Sequence, residues 1–180
     1  PLRQPAQSGM NTDLIPMKWL LFLTALGASL CASGSACHTV ADGPMLEPGS
    51  WNCGCDPASC DTLYVSHALT IDADLELFSQ ELVIGASGSI TSTARLVING
   101  NLVNNGTLFA PYVRLWGPGT AQNTGTIGGG VFITVKDSCH NDGRIITTDS
   151  IVVGVIRYLV NDGRLQSGVL YNLGRFYNTD

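Results

Sequence analysis

The sequence predicts an all-β chain: a right-handed parallel β-helix, or β-solenoid, with about 18–20 residues per coil and a disulfide-stapled N-terminal cap. Three observations predict it. A short frame recurs through the second half of the chain, the composition is glycine-rich and poor in charge, and a cluster of cysteines precedes the first repeat.

The frame is apolar-x-Asn-x-Gly-x-apolar. It reads "LVNNGTL" at 102–108, "AQNTGTI" at 121–127, "CHNDGRI" at 139–145, "LVNDGRL" at 159–165 and "LYNLGRF" at 170–176. An earlier degenerate copy, "IGASGSI" at 84–90, carries Ala86 where Asn is expected, and a truncated one, "FYNTD", ends the sequence. The glycines at 88, 106, 125, 143, 163 and 174 step by 18, 19, 18, 20 and 11 residues. A period near 19 made of alternating segments fits three short strands per coil, with coils stacked about 4.8 Å apart through parallel backbone hydrogen bonds. The last step of 11 breaks that period. Hairpins with Asn-Gly turns in a β-sandwich are the alternative, but they do not need the same apolar position two residues before every Asn.

Alternation turns the apolar, Asn, Gly and second apolar positions inward. Asn104, Asn123, Asn141, Asn161 and Asn172 are therefore expected to stack as an interior ladder. Each amide carries both a donor and an acceptor, so identical copies can bond along the axis. The glycines supply room or positive φ at the corner.

Composition sets the class. The 180 residues are 44% hydrophobic and only 13% charged, with 21 glycines, which suits a turn-rich β chain with a real core. A net charge of −5 without any Lys/Arg cluster gives no footprint for nucleic acid. Residues 42–81 hold eight acids and no Lys or Arg, which guards the first strands against edge pairing.

The N-terminus carries an address. Residues 1–16 read as a leader outside the fold. Residues 17–36 read as a secretory signal peptide: Met17, Lys18, a 12-residue apolar run Trp19–Leu30 too short to span a bilayer, then the small-residue stretch "CASGSAC". Cleavage after Ala36 is the expected processing, and lipid attachment at Cys37 is the lesser route, because Gly34 stands where lipoprotein signals carry Leu. Secretion or display at the outer cell surface follows, with no transmembrane span.

Residues 37–61 form the Cys-rich cap and 62–180 the repeats. Cys31 leaves with the signal, and Cys139 occupies an inward apolar slot as a small hydrophobe. Cys37, Cys53, Cys55 and Cys60 remain, an even set in an exported chain, so two disulfides of unassigned pairing are expected. Zinc held by Cys53, Cys55 and Cys60 is the alternative, but the paired knuckle spacing and a fourth ligand are missing. A Cys-x-x-Cys redox motif is absent from the sequence. Trp51 is placed to cover the apolar end of the first coil.

The stretch "WNCGCDPASCDTLYVSHALTI" at 51–71, followed by coils rich in N-x-G-x-L, resembles the opening of β-repeat regions in secreted Bacteroidetes proteins. Trp51, Cys53, Gly54, Pro57, Asp61, Val65 and His67 carry the likeness, which covers about residues 50–180. The resemblance implies a surface or secreted protein exported by the type IX route. That route normally uses a C-terminal sorting domain, which these residues do not include, so a longer parent protein is expected.

Function is sought on the outward columns. After the glycines stand Thr107, Thr126, Arg144, Arg164 and Arg175; before them stand Asn105, Thr124, Asp142 and Asp162. The aspartates are expected to neutralise the stacked arginines. Asp142, Arg144, Asp162, Arg164 and Arg175, with Tyr171 and Tyr177 as stacking faces, form a candidate site for an acidic glycan; a solvated, charge-balanced flank is the plainer reading. A polysaccharide-lyase version takes His140, Arg144 or Arg164 as base, without a tight acidic cluster to support it. Asp72, Asp74 and Glu76 share one strand face and offer a weak calcium site; no other cofactor is expected. His67, on the face of Val65 and Leu69, reads as a satisfied histidine beneath the cap. The glycine run "IGGGVF" at 127–132 reports close backbone packing. The expected job is structural or adhesive. The partners considered are extracellular glycans, other surface proteins, and another copy of the chain meeting an uncapped last coil end to end.

Overall fold

The computed structural model describes residues 36–179, except 54–56, 58–59, 79–80, 134–136 and 155–157, and describes only the backbone of 131–133. The leader, nearly all of the signal segment and Cys55 lie outside the described residues.

The chain is an all-β parallel solenoid. Its first face is an eight-stranded parallel sheet built from Ala36–His38, Thr62–Val65, Glu81–Ile84, Asn101–Asn104, Thr120–Asn123, Ser138–Asn141, Tyr158–Asn161 and Arg175–Asn178. Six coils therefore start at Thr62, Glu81, Asn101, Thr120, Ser138 and Tyr158, and Arg175 begins the next. Paired residues step by 19, 20, 19, 18, 20 and 17 along this face. The second face stacks Ala68–Ile71, Ser89–Ser92, the start of Thr107–Leu115, the start of Thr126–Ile133, Arg144–Ile146 and Arg164–Gln166. The third face stacks Leu75–Leu77, Arg95–Ile98, the ends of the same two long strands, Ser150–Val153 and Val169–Asn172.

Alternation places the core. Leu63, Leu82, Leu102, Ala121, Cys139 and Leu159 form one inward column; Leu69, Ile90, Leu108, Ile127 and Ile145 form the second, all nearly inaccessible to solvent. Leu96, Val113 and Ile151 belong to the third. Burying each large aliphatic side chain contributes about 1.5–3 kcal/mol, and the parallel register repeats that gain at every coil.

Glycine permits the corners. A Cβ on Gly106, Gly125, Gly143 or Gly163 would overlap the carbonyl oxygen of the frame glycine one coil below. Those oxygens accept the next coil's amides, as Arg144 N to Gly125 O and Arg164 N to Gly143 O, both 2.8 Å. The requirement is closeness; these glycines are not in the left-handed region. Gly129 is, at φ 103°, where the "IGGGVF" run turns against Ala110.

Two readings of the frame are corrected. Ile84, not Ala86, occupies the Asn slot, because Ile84 pairs with Asn104. The chain needs four steps from Ile84 to its corner glycine, Gly88, whereas two suffice from Asn104 to Gly106, so aligning on glycine misplaces the slot. At the other end Asn172 belongs to the third face, paired with Val153, and Asn178 of the terminal "FYNTD" pairs with Asn161. An 11-residue step cannot encircle three faces; the 17-residue step from Asn161 to Asn178 does.

Candidate functional site

Three features concentrate polar chemistry: the interior asparagine ladder, the sulfur cluster in the cap, and a histidine–aspartate cluster on the flank.

The ladder runs through the core. Asn104 Nδ2 donates to Asn123 Oδ1, Asn123 to Asn141 and Asn141 to Asn161, each at 2.6 Å, and Asn161 donates to Asn178 Oδ1 at 2.7 Å. The spare amide hydrogens reach corner carbonyls, such as Asn161 Nδ2 to Gly163 O at 2.8 Å. Asn104 Oδ1 is buried without a partner, because Ile84 beneath it has nothing to donate.

The cap gathers sulfur. Cys37 is fully buried in the first strand, with its Sγ in bonding reach of both Cys53 and Cys60; the Cα separations are 5.3 and 6.4 Å. A sulfur forms one disulfide, so Cys37 is the common anchor of two competing closures across 16 or 23 residues. Either is worth about 3 kcal/mol by loop-closure entropy. Cys55 lies outside the described residues. Trp51 is buried and its Nε1 donates to Met45 O at 2.7 Å, closing the coil end. His67 Nδ1 is paired with Thr39 Oγ1 at 2.9 Å beneath it.

The seven residues expected to bind a glycan do not form one stripe. Arg144 and Arg164 stand in register on the second face. Arg175 starts the first face opposite Tyr158, Tyr177 pairs with Val160 on that same sheet, and Tyr171 is on the third face. Among the described residues no ion pair joins Asp142 or Asp162 to an arginine. Arg164 donates instead to Gln166 Oε1 at 2.8 Å. Charge balance by neighbouring arginines is thus corrected: the carboxylates turn toward the first face, where His140 stands.

His140 Nε2 lies 2.6 Å from Asp162 Oδ2 and 3.4 Å from Asp142 Oδ1, and the Thr179 hydroxyl donates to the other oxygen of Asp162. The Asp162 hydrogen bond raises the His140 pKa above its ordinary value, against some desolvation. Asp162 is held below the usual carboxylate range, first by Thr179 and then by His140. The histidine's contribution to stability is complete below its ordinary pKa and is lost as pH rises through the raised value. The aspartate's is present above the ordinary carboxylate range and is lost as pH falls through the lowered one. Both groups are exposed, so solvent screening keeps the effect small. The sequence suggested His140 only as a lyase base; its pairing with Asp162 depends on the 20-residue register that sets His140 opposite Val160.

The other acids are scattered. Asp74 accepts from Arg95 N at 2.9 Å and pairs with its Nε at 3.6 Å, and among the described residues Asp72, Asp74 and Glu76 do not converge their oxygens as a calcium site needs. A groove of about 590 Å³ where the third face returns to the first is lined by Asp61, Glu81, Asn99 and Asn101. Its walls come from successive coils, a juxtaposition no local motif announces.

Comparison with protein-family models, with curated proteins and with solved structures finds no match for this chain. None of these comparisons ties the stretch at residues 51–71 to the Bacteroidetes proteins it resembles or to the type IX route. Among the described residues no helix is long and apolar enough to cross a membrane.

Proposed function

We propose that this chain is an exported structural module, a stiff β-solenoid spacer with an oxidised N-terminal cap. The observation that carries the reading is the unbroken amide ladder from Asn104 to Asn178, which spends the core's polar groups on joining coil to coil. A solenoid built so resists bending and shear along its axis. Export is supported by the signal pattern at 17–36 and by the sulfur cluster, which suits an oxidising compartment. Cys37, buried and within bonding reach of the cap cysteines, favours cap closure over lipid attachment at the same atom.

The test is to express the full chain in a bacterial host with an intact secretory pathway and to count thiols by maleimide-polymer labelling before and after reduction. The reading expects a shortened, exported product whose cap cysteines label only after reduction. A chain retained at full length in the cytosol with all thiols reactive would overturn it.

A second reading rests on Arg144 and Arg164, exposed and one coil apart without a carboxylate between them. They favour an anionic glycan as adhesive ligand. Saturable binding on an array of acidic glycans, lost in Arg144→Ala/Arg164→Ala, supports it; no binding leaves the spacer role alone.

A further inference from the structure

We propose that His140, Asp142 and Asp162 form a binding site for a divalent metal ion of the zinc class, clipping the coil that begins at Ser138 to the one that begins at Tyr158. One imidazole nitrogen and two carboxylate oxygens are a donor set suited to zinc and to neighbouring transition metals, whereas calcium prefers an all-oxygen cage. The three donor atoms lie within 4.8 Å of one another. Tetrahedral zinc with bonds of about 2.0–2.2 Å needs its ligand atoms roughly 3.3 Å apart. The His140–Asp142 separation of 3.4 Å already meets this, and the His140–Asp162 contact at 2.6 Å must open by about 0.7 Å, which two exposed side chains can do.

The backbone beneath is set in advance. His140 and Asp142 flank Asn141, and Asp162 follows Asn161, so the Asn141–Asn161 bond and the parallel register hold the three ligand positions. Thr179 orients Asp162 from the next coil, the role an outer hydrogen-bond partner plays at metal sites. The fourth position faces solvent, leaving room for water or a ligand's oxygen.

The experiment titrates ZnCl2 into the purified oxidised chain by calorimetry and repeats the titration with CoCl2 under an absorption spectrometer. Saturable binding at one equivalent is expected, with cobalt bands lacking the sulfur-to-metal charge transfer that thiolate ligands give. His140→Gln and Asp162→Asn are expected to weaken zinc at least tenfold while lowering the metal-free unfolding temperature only by the small amount that their exposed pair contributes. Asp142→Asn is a third variant, so the result does not hang on one substitution. Absence of saturable zinc binding overturns the proposal. So does wild-type affinity in His140→Gln, or a charge-transfer band assigning the metal to the cap sulfurs.

Discussion

The same inward slot at the end of the first-face strands is filled in two ways. Val65 and Ile84 hold it in the first two coils, and Asn104, Asn123, Asn141, Asn161 and Asn178 hold it afterwards. In the N-terminal region the slot is held by apolar burial, and polar bonding moves out to Thr39, which receives Ser66 N and pairs with His67. In the C-terminal region the slot itself is polar and every amide finds its partner one coil away. The difference shows that the fold demands a filled slot, not an amide. It also shows where the amide solution is costly: a ladder of identical groups leaves one oxygen unpaired at its first rung, and Asn104 Oδ1 is that oxygen. That cost is incurred once however long the ladder grows, so a continuous run of asparagines is favoured over alternation with aliphatics.

The largest expected effect tests what both regions share, the glycine rail. Gly143→Ala sets a methyl against the Gly125 carbonyl and the Thr124 backbone, which no rotamer relieves. We expect a loss of about 3 kcal/mol or more, read from the urea midpoint. Gly85→Ala, in the longer N-terminal corner, meets Val65 O at 3.4 Å and is expected to be tolerated. Gly88→Ala, the rail position of that same corner, would overlap Val65 O and is expected to cost as much as Gly143→Ala; a loss at Gly85 equal to these would show that the crowding is not confined to the rail.

Next in size are breaks within the ladder. Asn141→Val leaves Asn161 Oδ1 without a donor and takes away the best acceptor of Asn123 Nδ2, so about 2–3 kcal/mol is expected to be lost. Asn104→Val is different in kind. It orphans Asn123 Oδ1 but removes the oxygen that was already orphaned, so the number of unpaired groups is unchanged. Its expected cost is roughly 1 kcal/mol or less. If both substitutions cost the same, rung position does not matter and the boundary argument fails. Ile84→Asn sharpens it from the other side: the orphan moves down one coil, where Val65 cannot satisfy it, and the burial of Ile84 is lost. We expect destabilisation by about 1–3 kcal/mol even though a new ladder bond forms.

The C-terminal region was the more legible one, for a physical reason. Asparagine and glycine recur there because each coil solves the same bonding and crowding problem, and identical solutions leave a visible period. Where coils solve it differently, the period blurs. Ile84 was obscured because its corner is two residues longer. Asn172 mimics a rung because "NLG" copies the frame by local turn chemistry: its Oδ1 accepts Gly174 N at 3.2 Å. The distance around the solenoid was the better guide, and it points to Asn178. The His140–Asp162 contact was hidden for a related cause, since it joins groups 22 residues apart and follows only once the register is fixed.

The smallest effect separates the two C-terminal asparagines. Asn178→Ala removes the acceptor of Asn161 Nδ2, which keeps Gly163 O at 2.8 Å, so a loss below about 1 kcal/mol is expected. Asn172→Ala removes one exposed turn bond and should change stability by less than about 0.5 kcal/mol. Stability alone resolves these two poorly, so the decisive readout is the side-chain amide resonance of Asn161. It should shift in Asn178→Ala and stay in place in Asn172→Ala. The opposite pattern would put the 11-residue step back in the ladder and shorten the last coil. The agreed pattern fixes Asn178 as the fifth rung, and with it the principle that each rung is chosen by its distance around the solenoid and not by its neighbouring glycine.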